Sequence, residues 1–195
     1  MNVKVLPLGA YQTNCYIAWG DGDDCVVIDP GYMPERVLEE TEKLGKSIAA
    51  ILLTHGHFDH VGGVREIVAE TGCPVYLHEK ELMLPPHFTD GPLYYTNFYG
   101  EGDELRLAGL SIRVLHTPGH TPGSVCLQVG DTLFAGDTLF CGSIGRTDFP
   151  GSSPAAMQAS LQRLKEISED LRVLPGHGEE TTLSREKKYN PYLNR

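Results

Sequence analysis

The chain contains no Cys-x-x-Cys pair, and its five cysteines, at positions 15, 25, 73, 126 and 141, are odd in number. That is not a dense disulfide framework, so reduced thiols in a cytoplasmic setting are expected. No apolar run reaches the ~20 residues that a membrane span requires. Residues 1–9 lack the long apolar region of a secretory signal. Basic charge is also scarce, with 16 Lys and Arg against 26 Asp and Glu and a net charge of −10. A nucleic-acid backbone is therefore excluded as the main partner, because phosphate binding needs a basic face. Internal repeats and low-complexity segments are missing too. What remains is an ordinary soluble composition, 41% hydrophobic and 22% charged over 195 residues. It suits one domain with a substantial core.

The pattern along the chain predicts two strand-rich blocks, each interrupted by amphipathic helices. Residues 3–8, 13–19 and 25–28 are short apolar runs separated by turn signals such as Gly20-Asp21-Gly22-Asp23. Pro34 opens a helix whose face is Val37, Leu38, Thr41 and Leu44, and Gly45 stops it. Residues 48–53 form a continuous apolar strand, expected to be buried on both faces. A second helix is predicted over 62–71 and a short strand over 74–77. Residues 78–102 read as a long irregular segment, a feature that is often functional in a compact domain. Strands are predicted at 104–107, 111–115, 124–129, 132–135 and 172–174. Ser153 and Pro154 start a helix with Met157, Leu161, Leu164 and Ile167 as its core-facing stripe. A last helix is predicted from Thr182. Such a pattern suggests two sheets face to face with helices outside.

Residues 55–60 read His-Gly-His-Phe-Asp-His, directly behind the apolar strand. Imidazole and carboxylate are standard ligands for zinc-like ions. One tetrahedral ion rarely takes four ligands from so short a loop, so the cluster hints at two. Three further candidates stand where strands run into loops: His120 after Gly119, Asp137 after Gly136 and His177 after Gly176. A preceding glycine lets the backbone turn sharply and come close to a neighbour.

The His55-x-His57-x-Asp59-His60 cluster, followed in order by His120, Asp137 and His177, resembles the metallo-β-lactamase superfamily over essentially the whole chain. The resemblance implies an α/β (α+β) four-layer αββα sandwich, a single domain over residues 1–195. It implies two divalent metal ions, zinc first, with iron or manganese also suited. His55, His57 and His120 would hold one ion. Asp59, His60 and His177 would hold the other, and Asp137 would bridge them. Phe140-Cys141-Gly142-Ser143-Ile144-Gly145-Arg146-Thr147-Asp148-Phe149-Pro150-Gly151 resembles the loop after the bridging Asp in glyoxalase II, the hydroxyacylglutathione hydrolases. Arg146 stands where that group has a Lys contacting a glutathione carboxylate. It would either hold such a carboxylate or pin its own loop through Asp148. Only 18 residues follow His177, so the helical C-terminal extension of glyoxalase II is not expected. The chain resembles the short, single-domain bacterial relatives.

These readings imply a metal-dependent thioester hydrolase acting on a small molecule such as S-D-lactoylglutathione. Attack would come from a metal-bridging hydroxide, with Asp59 and Asp137 orienting it. No serine or cysteine is needed as attacker, and a thiol of pKa near ~8.5 leaves without a dedicated acid. The alternatives are a mononuclear iron persulfide dioxygenase, which would use His55, His120 and Asp137, and a lactonase. Cys141 reads as a small buried residue. Tyr94, Tyr95, Phe98 and Tyr99 read as core or surface aromatics rather than a pocket wall. His116 reads as a loop-ordering residue.

Overall fold

The structure, a computed structural model, describes residues 1–194. The chain opens with an antiparallel meander of β1 (Asn2–Leu8), β2 (Thr13–Trp19) and β3 (Asp24–Ile28). Helix α1 (Pro34–Lys43) then carries it to β4 (Ser47–Leu52), parallel to β3. Helices α2 (Phe58–Val61) and α3 (Val64–Thr71) lead to β5 (Val75–Leu77), parallel to β4. Two 3-10 turns, Glu79–Met83 and Pro86–Phe88, precede β6 (Asn97–Phe98), which completes a six-stranded sheet in sequential order.

The second half repeats the scheme. Strands β7 (Glu104–Leu107), β8 (Leu110–His116), β9 (Val125–Val129) and β10 (Thr132–Gly136) form an antiparallel run. A small hairpin of β11 (Leu139–Phe140) and β12 (Ser143–Ile144) follows. Helix α4 (Pro154–Glu166) returns the chain to β13 (Arg172–Pro175), parallel to β10. Strand β14 (Thr181–Thr182) and helix α5 (Leu183–Tyr189) end it. The second sheet has the order β14-β13-β10-β9-β8-β7.

Three apolar layers hold these parts together. The middle one lies between the sheets and joins Tyr16, Val26, Ile28 and Leu52 to Ile112, Val114, Leu127 and Phe134. An outer layer packs Ile17, Val27, Ile51 and Leu53 under Val37 of α1 and Ile67 of α3. The other outer layer packs Leu133, Ala135 and Val173 under Met157, Leu161 and Leu164 of α4. Helix, sheet, sheet, helix is thus the four-layer sandwich expected. β4 shows why its run is unbroken: Ala50 and Leu52 enter the middle layer while Ile51 and Leu53 face the helices. Each such fully buried Leu or Ile contributes about 1.5–3 kcal/mol over its exposed state.

Local signals set the boundaries. Ser153 Oγ accepts the Ala156 amide at 3.2 Å and Pro154 occupies the first turn of α4. Thr182 Oγ1 accepts the Arg185 amide at 3.3 Å at the start of α5. The helix predicted over 62–71 is α3, which starts at Val64, and the short α2 precedes it as a separate helix. The Gly63 amide is drawn to the Pro30 carbonyl at 2.9 Å, which breaks the run and leaves Asp59 and His60 on their own turn. The predicted irregular segment carries the two 3-10 turns and β6. Strands β6, β11, β12 and β14 span two residues each, too short to show a period. All five cysteines are free. Among the described residues no helix is long and apolar enough to cross a membrane.

Candidate metal centre

Parallel pairing places the ends of β3, β4, β10 and β13 along one edge of the sandwich. Past those ends come Asp29, His55, Asp137 and His177. The loop after β4 delivers His55 and His57. His57 then serves as N-terminal cap of α2, whose first turn presents Asp59 and His60. His120 comes from the loop after β8. Glycine is required where the backbones converge: a Cβ on Gly176 would lie 2.2 Å from Asp137 Oδ1.

All seven residues singled out in the sequence as ligands meet here. His55, His57 and His120 form one group whose ligand atoms lie within 4.8 Å of one another, and Asp59, His60 and His177 form a second. In the second group His60 Nε2 is 3.3 Å from His177 Nε2, which is 3.3 Å from Asp59 Oδ2. The remaining edge, His60 Nε2 to Asp59 Oδ2, is 3.6 Å. Ligands at ~2.0–2.1 Å in a tetrahedron stand about 3.3 Å apart, so the triangle has the size an ion needs. In the first group His57 Nδ1 and His120 Nε2 are 2.9 Å apart. Asp137 lies between the groups, with Oδ1 3.5 Å from His60 Nε2 and Oδ2 3.5 Å from His120 Nε2.

The outward ring nitrogens of four of the five histidines are engaged. His120 Nδ1 donates to the Arg146 carbonyl at 2.9 Å and His177 Nδ1 to the Tyr11 carbonyl at 3.2 Å. His60 Nδ1 donates to Asp29 Oδ2 at 3.0 Å. Thr54 Oγ1, which donates to Asp29 Oδ2 at 2.6 Å, accepts from His55 Nδ1 at 3.1 Å. Each such bond fixes the tautomer and leaves a lone pair on Nε2 aimed inward. The inward side is unsatisfied: His55 Nε2 and Asp137 Oδ1 are buried with no hydrogen-bond partner. Buried polar atoms are otherwise almost always paired, and a cation is the partner these two fit.

Electrostatics agree. Burial pushes the His57 imidazole down to about 3, helped by His120 and His60, and burial pushes His55 well down too. Both are neutral, the state that ligates metal. Burial would also lower His60, but the carboxylates of Asp137, Asp29 and Asp59 outweigh it and raise the ring to about 9. The negative field that draws a proton to His60 is one that would hold a divalent cation. Burial would raise the Asp59 carboxyl, yet hydrogen bonds from His177 and Thr13 and the His60 charge hold it well below the usual range.

A cavity of about 310 Å³ opens over the ligands, lined by Tyr11, Phe58, Phe88, Phe140, Phe149 and Arg146 beside His57, Asp59, His120, Asp137 and His177. Arg146 lines the cavity and also pins its own loop. Its Nε and Nη2 donate to Asp148 Oδ1 and Oδ2 at 2.8 Å each. Cys141 is half-buried beside Arg185 Nη1 at 3.1 Å, rather than fully buried, and does not line the cavity. Tyr94 packs on an outer layer and Tyr99 sits between the sheets. Tyr95 and Phe98 stack on the surface. His116 Nε2 donates to the Pro122 carbonyl at 3.0 Å, ordering the loop that leads on from His120.

Two site residues carried no signal in the sequence. Asp29 lies in Asp29-Pro30-Gly31, which reads as a turn. Glu81 lies in the irregular middle segment. Thr13, whose Oγ1 donates to Asp59 Oδ2 at 2.8 Å, was legible only as the start of a strand.

Fold and ligand set together define a metallo-hydrolase, and the chain belongs to the metallo-beta-lactamase superfamily, whose family model matches residues 8–177. It is 35% identical to the hydroxyacylglutathione hydrolase GloC of Haemophilus influenzae, over 100% of this chain and 99% of that one. Its structure superposes on a B3 metallo-beta-lactamase, BLEG-1, with TM-score 0.93 and 34% identity over 100% of both chains. TTHA1623, solved in a di-iron-bound form, gives TM-score 0.86 and 42% identity, covering 97% of this chain and 99% of that one. ETHE1 from Myxococcus xanthus gives 0.87 and 28%, covering 98% and 84%.

Proposed function

We propose that the chain is a binuclear metal-dependent hydrolase of thioesters, with S-D-lactoylglutathione as its reference substrate. The supporting observation is the pair of inward-facing triads around Asp137, whose Oδ1 is buried and unpartnered. His55, His57 and His120 would hold one divalent ion, Asp59, His60 and His177 the other, and Asp137 both. When bound, two such ions acidify a shared water and polarise a carbonyl.

The chain's own residues supply the rest. Asp59 is kept ionised by its bonds from His177 and Thr13, so it accepts a hydrogen bond from the attacking water and orients it. Among the described residues the cavity lining contains no serine, cysteine or lysine, which fits attack by water rather than by a side chain. The aromatic walls exclude bulk water from the acyl carbon. Overall the acyl C–S bond breaks and a C–O bond forms, giving a carboxylate, a thiol and one proton. No side-chain acid is needed, because a thiol is a good leaving group.

Similarity to a hydroxyacylglutathione hydrolase over the whole chain favours this reading. The run Gly145-Arg146-Thr147-Asp148-Phe149, which resembles the corresponding loop of persulfide dioxygenases, keeps an iron-dependent persulfide dioxygenase as the rival. The test is hydrolysis of S-D-lactoylglutathione by protein of measured metal content. Turnover well above a metal-stripped control is expected, with two metal equivalents per chain. No turnover, together with oxygen uptake on glutathione persulfide by protein holding one iron, would replace the hydrolase by the dioxygenase.

A further inference from the structure

The cavity over the ligands is built almost wholly from rings. Tyr11 packs edge-on to Phe58 with centroids 5.2 Å apart, and Phe88 lies 5.1 Å from Phe149. Phe140 stands edge-on to the His177 ring at 6.2 Å. Histidine aside, the one cationic residue in the lining among the described residues is Arg146, and it is already engaged. Two of its nitrogens grip Asp148, and its guanidinium lies over the Phe149 ring at 4.0 Å from the centroid. The Arg146–Asp148 pair is neutral as a unit, so it offers an incoming carboxylate little net attraction. A chain of net charge −10 adds no long-range pull on an anion.

Resting on the thioesterase reading above, we propose that the site selects thioesters whose thiol half is apolar and carries no carboxylate, in preference to glutathione thioesters. An apolar thiol buries against Phe58, Phe88 and Phe149 and gains from leaving water. Glutathione brings two carboxylates and an ammonium to a wall with no unpaired ion for either carboxylate. Arg146 itself completes the apolar wall through its stacked face, held there by Asp148.

The test compares two thioesters with the same lactoyl group, one on benzyl mercaptan and one on glutathione, using protein of measured zinc content. The expected kcat/KM for the benzyl thioester is about tenfold the higher, the value of burying one ring in part. In Asp148→Ala the freed guanidinium should raise kcat/KM for the glutathione thioester about threefold, as an exposed ion pair allows, and lower it for the benzyl thioester as the stacked face leaves the wall. Ketone isosteres of both thioesters, titrated calorimetrically, give the same preference without turnover. If neither thioester is hydrolysed, the thioesterase reading fails and the isosteres still decide the selectivity. A preference for the glutathione compound in either measurement overturns the inference. An unchanged ratio in Asp148→Ala overturns the role given to the paired guanidinium.

Discussion

Glu81 Oε2 accepts the Gly56 amide at 2.6 Å, in the middle of the loop that carries His55 and His57. The other carboxylate oxygen accepts Thr121 Oγ1 at 2.6 Å and the Gly123 amide at 2.7 Å. One buried side chain from the segment after β5 therefore ties together the two loops that supply His55, His57 and His120. Burial pushes this carboxyl up to about 7, against the three hydrogen bonds that pull it down. Glu81→Gln turns its amide group toward one of those donors and leaves a buried amide unpaired. The expected cost is about 1–3 kcal/mol of stability, read from urea unfolding. Metal content should fall toward one equivalent, with the His55 group emptied. A variant that keeps full stability and two equivalents would refute the tie.

Asp29 supports the other group. It holds His60 Nδ1 at 3.0 Å and the Thr54 amide at 2.7 Å. Asp29→Ala should weaken metal binding about 10–100-fold, the usual effect of losing a carboxylate behind a ligating histidine. Competition with a chelator measures it. Unchanged affinity would mean that packing alone orients His60.

Asp137→Ala should abolish hydrolysis and lower the metal count, since the residue faces both groups. An active variant that stays fully metal-loaded would show that nothing needs to bridge them.

His78 and His116 stack face to face with centroids 4.2 Å apart. Burial, then His116 and Lys80, push His78 down to about 4, and its Nδ1 accepts the Lys80 amide at 3.2 Å. The folded form therefore prefers the neutral ring, while the unfolded chain takes a proton near ~6.5. The sign follows: this contribution to stability is complete above ~6.5 and is lost as pH falls toward about 4. The urea midpoint should drop over that window, and the drop should be smaller in His78→Gln. Equal pH profiles for the two proteins would remove His78 from the account.

Where chemistry and local pattern coincide, the sequence was legible. His120, Asp137 and His177 each follow a glycine at the end of a strand, so ligand type and position could be read together. The paired apolar faces of β4 and the Ser153-Pro154 start of α4 were legible for the same reason. Asp29 and Glu81 were not, because their roles are defined by partners far along the chain: Asp29 by Thr54 and His60, Glu81 by Gly56, Thr121 and Gly123. The ring-lined wall escaped as well. Tyr11, Phe58, Phe88, Phe140 and Phe149 come from five separate elements and loops, and no periodicity links them. The aromatics clustered in sequence at 94–99 went to the core and the surface instead.

The candidate ligands are shared unequally between the halves. Each group draws two members from the first sheet's loops and one from the second's: His55 and His57 with His120, Asp59 and His60 with His177. An ion in either group is therefore a cross-link between two half-proteins that also meet through apolar side chains, backbone bonds such as Asn14 to Gly176 at 2.7 Å and buried side-chain bonds such as those of Glu81. Its binding energy becomes cohesion of the sandwich, so a chelator would act on this protein as a denaturant that works from the inside of the seam.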